Sequence, residues 1–352
     1  MSSEDAVKAA VDCLGVPFYP NIVPVKESYK TENGNIFVWG FQLRDNSITQ
    51  WIEVKVDANT GDIVSMEDVK SKFTYTAIEL PNESFNDGFS TILNPENLKS
   101  SPNEWTESYK LKGNNVLVKF KRGKTLKTTT KGMFDGAFDF MLPPQTPKNL
   151  VAGAVNAFYA ANMVHDVLYP YGFNELAGNF QMDSFNKDLH IYTATEPNRD
   201  SALDNNVMIH ELTHGLSTRL TGGAHEDLCM MKTESLGLSE GYSDMVTIIF
   251  TAKPEDTRNT KKVMGEYIKG SSQEMRRYPY TTDMKVNPLT YQSAVGEKDR
   301  YNLGTIWTTM LWEVYWNLVE EYGFSANLHD ATQKRGHLIT KGFAKRGLGS
   351  IS

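Results

Sequence analysis

The spacing of apolar residues changes character near residue 149, and that change constrains the fold more than any other feature of the chain. From there onward Leu150, Ala154, Ala157, Phe158, Ala161, Val164 and Leu168 fall at three- and four-residue steps, which predicts a long buried helix. Pro170 and Gly172 end it, because proline cannot continue the hydrogen-bond ladder and glycine accepts the left-handed backbone of a helix terminus. Further helices are expected over 203–220, 239–251 and 306–321, the last stopped by Gly323. Before residue 149 the pattern is different. A short helix is expected over 3–14 with Ser3 at its N-cap, followed by β-branched and aromatic runs at 36–41 and 51–56. In the second run Ile52, Val54 and Val56 share one face. Asn33-Gly34 and the stretch 57–62, which ends in Gly61-Asp62, carry turn chemistry. The fold class is therefore α+β: a small α+β module over 1–72, a less regular stretch from 73 to 147, and a mainly helical C-terminal part.

Composition excludes several function classes. The chain has 36 basic and 43 acidic residues, a formal net charge of -7, so no nucleic-acid partner is expected, since phosphate-backbone binding relies on a basic face. The locally basic stretch Lys110 to Lys131 reads as a solvated face. No apolar run approaches the roughly 18 residues of a membrane span, so no membrane partner is expected either. Two cysteines, Cys13 and Cys229, support neither a disulfide framework nor a cysteine zinc cage. The start, Met1 to Lys8, shows neither a basic n-region nor an apolar h-region, so no secretory signal is read there.

The strongest chemical signal is His210-Glu211-Leu212-Thr213-His214. Residues four apart on a helix lie one above the other, so both imidazoles can reach one metal ion from the same face. Glu211, next to the first histidine, is placed to take a proton from a metal-activated water. Two imidazoles and a carboxylate suit zinc, with the fourth position open. The third ligand is expected to be Glu240, at the start of the next helix, and Asp244 one turn on is placed to accept an N–H from a ligand histidine and fix its ring. The bland alternative is an amphipathic helix with two solvent-facing histidines.

The stretch Val207 to Gly223 closely resembles the zinc helix of the fungalysins, secreted thermolysin-like metallopeptidases of the Glu-zincin type. The segments 162–181, 197–200, 234–244, 277–280, 287–291, 304–307 and 343–349 also match, in the family's order. The resemblance implies a thermolysin-like metallopeptidase domain over 73–352, with β structure first and helices after. It implies one zinc per chain held by His210, His214 and Glu240, Glu211 as general base and then acid, and Asp244 orienting a ligand histidine. Arg276 falls where such enzymes bind the substrate carbonyl past the scissile bond. Residues 1–72, through the stretch Val56 to Val64, are similar to the last part of the family's PepSY-like prodomain. That implies a zymogen whose own prodomain is an intramolecular inhibitor, with a boundary near 71–75. Protein or peptide substrates and an extracellular location follow from the same resemblance. His165 and Asp166 lie in a matching segment and read as buried structural polar groups.

The chain also departs from the family. Tyr301 stands where the family has a histidine that stabilises the tetrahedral oxyanion, so Tyr301 is the expected donor there. The stretches from Gln181 to Leu189 and from His329 to Phe343 are shorter than the family pattern, and the disulfide partner expected for Cys229 is missing. Two readings result. One is a zinc endopeptidase acting through a metal-activated water; the other is a catalytically impaired zinc-binding relative that acts as a binding or regulatory protein.

Overall fold

The computed structural model describes residues 1–20, 23–31, 34–45, 50–68, 73–106, 109–120, 125–128, 132–181, 198–225, 229–270 and 275–329. The chain divides into two compact units, Met1–Lys72 and Phe73–Ser352.

Among the described residues, the first unit is one helix and one sheet. Helix α1 (Ser3–Leu14) is capped by the side chain of Ser2, which accepts from the Asp5 N–H, and not by Ser3. Only the residue before the first helical turn has the extended backbone that aims a hydroxyl at the free N–H groups. The sheet is antiparallel in the order β1 (Val25–Thr31), β2 (Gly34–Arg44), β3 (Trp51–Asp57) and β4 (Ile63–Asp68). Val54 and Val56 of β3 are buried with Phe41 and Leu43 of β2 against Ala6 and Ala10 of α1, and Ile52 packs at the edge of that cluster. The β3–β4 connection is tight because Asp57 accepts from the backbone of Asn59 and Thr60 while Gly61 takes φ 85°.

The second unit opens with a small sheet in the order β6-β5-β7. It comprises β5 (Thr74–Ala77), β6 (Ser90–Leu93) and β7 (Met133–Phe134), with β5 antiparallel to β6 and parallel to β7. Tyr75 and Phe134 project from it onto Phe158 and Tyr159 of α2 (Pro147–Leu168), together with Trp105. Glu96 accepts from the Tyr75 hydroxyl beside this cluster. Burial pushes the Glu96 carboxyl up to about 7. The unfolded chain therefore ionises first, and stability falls as pH rises from the ordinary carboxylate range toward neutrality, by about 2 kcal/mol for a partly exposed group. In urea unfolding followed from acid to neutral pH, Glu96→Gln is expected to remove that decline; an unchanged pH slope would refute it.

Helices α3 (Asn205–Gly222), α4 (Thr233–Phe250) and α6 (Arg300–Tyr322), with the short α5 (Glu266–Lys269), follow in this unit. Val164 and Val167 of α2, Ile209 and Leu216 of α3, and Val246 and Phe250 of α4 share one core cluster. Met245, Ile248 and Ile249 of α4 share another with Trp312, Tyr315 and Trp316 of α6. Both α4 and α6 begin six residues before the sequence pattern indicates, at Thr233 and Arg300. The Asp299 side chain caps α6 by accepting from the Asn302 N–H, and Ser235 bonds the backbone of Lys232 at the head of α4. Helix starts set by such local side-chain bonds precede the apolar stripe that reveals a helix. Consequently Glu240 lies in the interior of α4, and Tyr301 lies in the first turn of α6.

Candidate metal centre

The N-terminus of α3 is anchored on its neighbours. Asp204 accepts from the Val207 N–H, and Asn205 donates to the carbonyls of Ile78 and Asn82 while accepting from Asn156 of α2. Asn156 and Asn205 are fully buried and hydrogen-bonded, so α3 is held in one position relative to α2 and the chain leaving β5. Opposite it, α4 is drawn close to α6 by missing side chains. A Cβ on Gly304 would lie 2.6 Å from the Cβ of Glu240, and one on Gly241 would lie 2.8 Å from the Gly304 carbonyl. Thr308 closes the crossing by donating to the Gly241 carbonyl at 2.9 Å. The backbone of Glu240 is thereby pressed between the two helices.

This frame brings the sequence-expected residues together. The rings of His210 and His214 have centroids 4.7 Å apart and stand at 90°. His210 Nε2 is 3.2 Å from Glu240 Oε2, and His214 Nε2 is 3.9 Å from Glu240 Oε1. Bonds of about 2.0–2.1 Å to a tetrahedral ion put neighbouring donors roughly 3.3 Å apart, so this donor set fits zinc. Donor atoms of His210, Glu211 and His214 also lie within 4.8 Å of one another. Two carboxylates thus stand at the histidine pair, and their surroundings differ. Glu240 is buried and faces both Nε2 atoms, whereas Glu211 is exposed. The buried group suits the ligand position and the exposed one suits contact with water and substrate.

The far sides of the rings are held as well. His210 Nδ1 lies 2.7 Å from Asp244 Oδ1, with the oxygen off the axis of the ring N–H. It is a close charge contact rather than an aligned hydrogen bond. His214 Nδ1 meets the hydroxyls of Ser239 at 2.8 Å and Ser243 at 3.2 Å. Asp244, fully buried, also receives a two-pronged contact from Arg276, Nε at 2.7 Å and Nη2 at 2.9 Å, and the hydroxyl of Tyr280. Arg276 Nη2 reaches Glu240 Oε2 at 3.4 Å. Arg276 is thus tied to both Glu240 and Asp244, and only 7% of its side chain is exposed. Tyr301 is 40% exposed, with its ring 5.3 Å from the Arg276 guanidinium and 4.8 Å from that of Arg300.

Charge is organised to match. Burial opposes ionisation of Asp244, but Arg276 and His210 outweigh it and hold the carboxyl well below the usual range. Burial likewise opposes the charged forms of Glu240 and His210. His210, His214 and Arg276 nevertheless lower Glu240, and Asp244 with Glu240 raises His210 to about 9. Burial and the neighbouring His210 lower His214 to about 4. A buried cluster in which two carboxylates stay ionised is one prepared for positive charge.

His165 and Asp166 lie apart from this centre. Asp166 accepts from the Asn97 N–H and the Trp105 indole, both at 2.8 Å, and contacts His165 Nδ1 at 2.9 Å. Asn179 reaches His165 Nε2 at 3.2 Å. The pair is paired on every side and ties α2 to the chain before it. Ser239, Ser243, Tyr280 and Arg300 were not singled out by the sequence reading. The serines could have been found from their i−1 and i+3 positions around Glu240, and Tyr280 closes one of the matching segments. The shortened stretch after Gln181, the segment after His329 and the boundary at residue 71 lie outside the described residues. Cys229 and Cys13 are free thiols.

The fold and this site place the chain among α+β proteins that carry two histidines and a carboxylate on paired helices. The chain belongs to the fungalysin family: the family model described as Fungalysin metallopeptidase (M36) matches residues 74–189 and 188–340. It is similar to Extracellular metalloproteinase 5 of Trichophyton tonsurans, 32% identical over 340 aligned residues that cover 80% of this chain and 53% of that protein. Extracellular metalloproteinase 5 of Arthroderma benhamiae is 31% identical over 341, covering 80% and 51%. Extracellular metalloproteinase 1 of Arthroderma gypseum is 32% identical over 327, again covering 80% and 51%. The chain spans about half the length of these curated relatives. Among the described residues no helix is long and apolar enough to cross a membrane.

Proposed function

We propose that the chain is a zinc-dependent endopeptidase that hydrolyses peptide bonds in proteins, with His210, His214 and Glu240 as ligands of one zinc ion. The observation that carries this reading is the pair of histidine Nε2 atoms facing buried Glu240, with exposed Glu211 alongside. When bound there, zinc would supply Lewis acidity, activating water and polarising the scissile carbonyl. Glu211 takes the proton of the attacking water as oxygen bonds to the carbonyl carbon and the π pair moves onto the carbonyl oxygen. It returns that proton to the amide nitrogen as the C–N bond breaks, so one water yields one carboxyl and one amine. Asp244 holds the His210 ring, Arg276 holds Asp244 and serves the substrate carbonyl beyond the scissile bond, and Tyr301 donates to the developing oxyanion.

Residues 1–72 we read as a prodomain-like unit that inhibits the second unit, and the protein as secreted. Support comes from the likeness of the stretch Val56 to Val64 to the family's prodomain and from the extracellular relatives. The test is zinc content and casein hydrolysis of the full chain beside the chain with residues 1–72 removed. One zinc per chain is expected, with chelator-sensitive cleavage that rises when 1–72 is absent. His210→Ala is expected to lose the metal. A zinc-free parent, or cleavage that a chelator leaves untouched, refutes the enzyme reading; zinc without cleavage favours a binding protein.

A further inference from the structure

Arg300 opens α6 directly after the capping Asp299. Its Nε lies 3.8 Å from Glu240 Oε1, the oxygen that faces His214 Nε2. Its Nη2 donates to the Tyr301 hydroxyl at 2.8 Å. Unlike Arg276, its side chain is 46% exposed.

We propose that Arg300 and Tyr301 act as one donor unit for the anionic oxygen of the tetrahedral transition state, with Arg300 supplying its positive charge. The inference rests on the endopeptidase reading above. Three physical points support it. A phenol is a neutral donor, and on its own it offers one hydrogen bond to an oxygen that gains a full negative charge. When the phenol oxygen accepts from a guanidinium, its O–H is polarised and becomes a stronger donor. A guanidinium carries five N–H groups; the hydrogen bond to Tyr301 engages one, so donors remain for an approaching oxygen.

Position supports the same assignment. Arg300 and Tyr301 are adjacent in the first turn of α6, and α6 is seated on α4 at Gly304 against Glu240. The Tyr301 ring rests beside the guanidinium of Arg276, which is itself fixed by Asp244. The donor unit is therefore built on the same helix crossing that places the Glu240 ligand, and its geometry is set before substrate arrives. Preorganised donors aimed at developing charge are worth about a hundredfold or more in rate. In this unit the charge is permanent, since arginine stays protonated across the working range.

The discriminating experiment compares a tetrahedral anion with a planar amide. The probe is a peptide phosphonamidate, bound to the zinc-loaded full chain and to Arg300→Met, Arg300→Lys and Tyr301→Phe, with zinc content measured for each. The amide counterpart of the same sequence is measured on the Glu211→Gln background. Arg300→Met is expected to weaken phosphonamidate binding at least tenfold and amide binding less than threefold, with kcat lowered about a hundredfold, KM little changed and zinc content unchanged. Arg300→Lys should recover part of the loss, because it restores charge without the fork. Arg300→Met combined with Tyr301→Phe should lose less than the product of the two single effects, as for residues acting together. Equal weakening of both probes, or none, overturns the proposal while leaving the endopeptidase reading intact. A parent that holds no zinc and cleaves nothing overturns both.

Discussion

Glu211→Gln is expected to retain one zinc per chain and to lose hydrolysis by about three orders of magnitude, the scale of a positioned general base. Glutamine keeps the shape of the side chain but cannot take a proton from water. Glu211 is exposed, whereas the proposed ligands His210 and Glu240 are buried, so the substitution leaves the His210–Glu240–His214 arrangement in place. Zinc stoichiometry and caseinolysis measured on one preparation check it. A variant that digests casein as fast as the parent would remove Glu211 from the chemistry. One that loses zinc would instead make Glu211, which shares the 4.8 Å span with both histidines, a ligand.

Asp244→Ala tests the support behind the metal and has the largest expected effect on stability. The carboxylate is fully buried against Arg276, His210 and Tyr280. Removing it leaves the Arg276 guanidinium buried with its main partner gone, a loss of about 3–5 kcal/mol. Zinc affinity should fall about 10- to 100-fold, because the His210 ring loses the group that holds it. The sign of the pH effect follows from the depressed carboxyl. The stability that Asp244 contributes is fully present above the unfolded carboxylate range near pH 4 and is lost as pH falls through the lower folded value. The parent should therefore lose stability in acid where the variant has none of this term to lose. Urea unfolding at neutral and acid pH, with a zinc competition titration, reads all three effects. Unaltered unfolding and unaltered affinity would show that Arg276 and His210 are held by other means.

Much of the fold was legible because periodicity and punctuation are local. The three- and four-residue steps after Leu150 mark α2, and the alternation in β3 marks the buried face that carries Val54 and Val56. Helix starts were less legible. Asp299 and Ser235 act through single side-chain bonds that leave no apolar stripe, so α4 and α6 reach further toward the N-terminus than their patterns indicate. That displacement matters for the site: it turns Tyr301 from a loop residue into a first-turn residue, adjacent to Arg300 on one rigid element.

The His210–His214 spacing by itself determines that two imidazoles share a helix face, because 3.6 residues per turn stack positions four apart. Glu240 and Asp244 follow the same rule on their own helix. What only the tertiary structure decided is how the two helices meet. Glycines at 241 and 304 let α4 and α6 touch backbone to backbone, and buried asparagines at 156 and 205 hold α3 in register with α2. Those contacts bring Glu240 to the histidine Nε2 atoms, Arg276 to Asp244, and Arg300 to Glu240 at the edge of the site. They join residues 26 to 127 positions apart, and no local spacing encodes an approach of 3–4 Å between them.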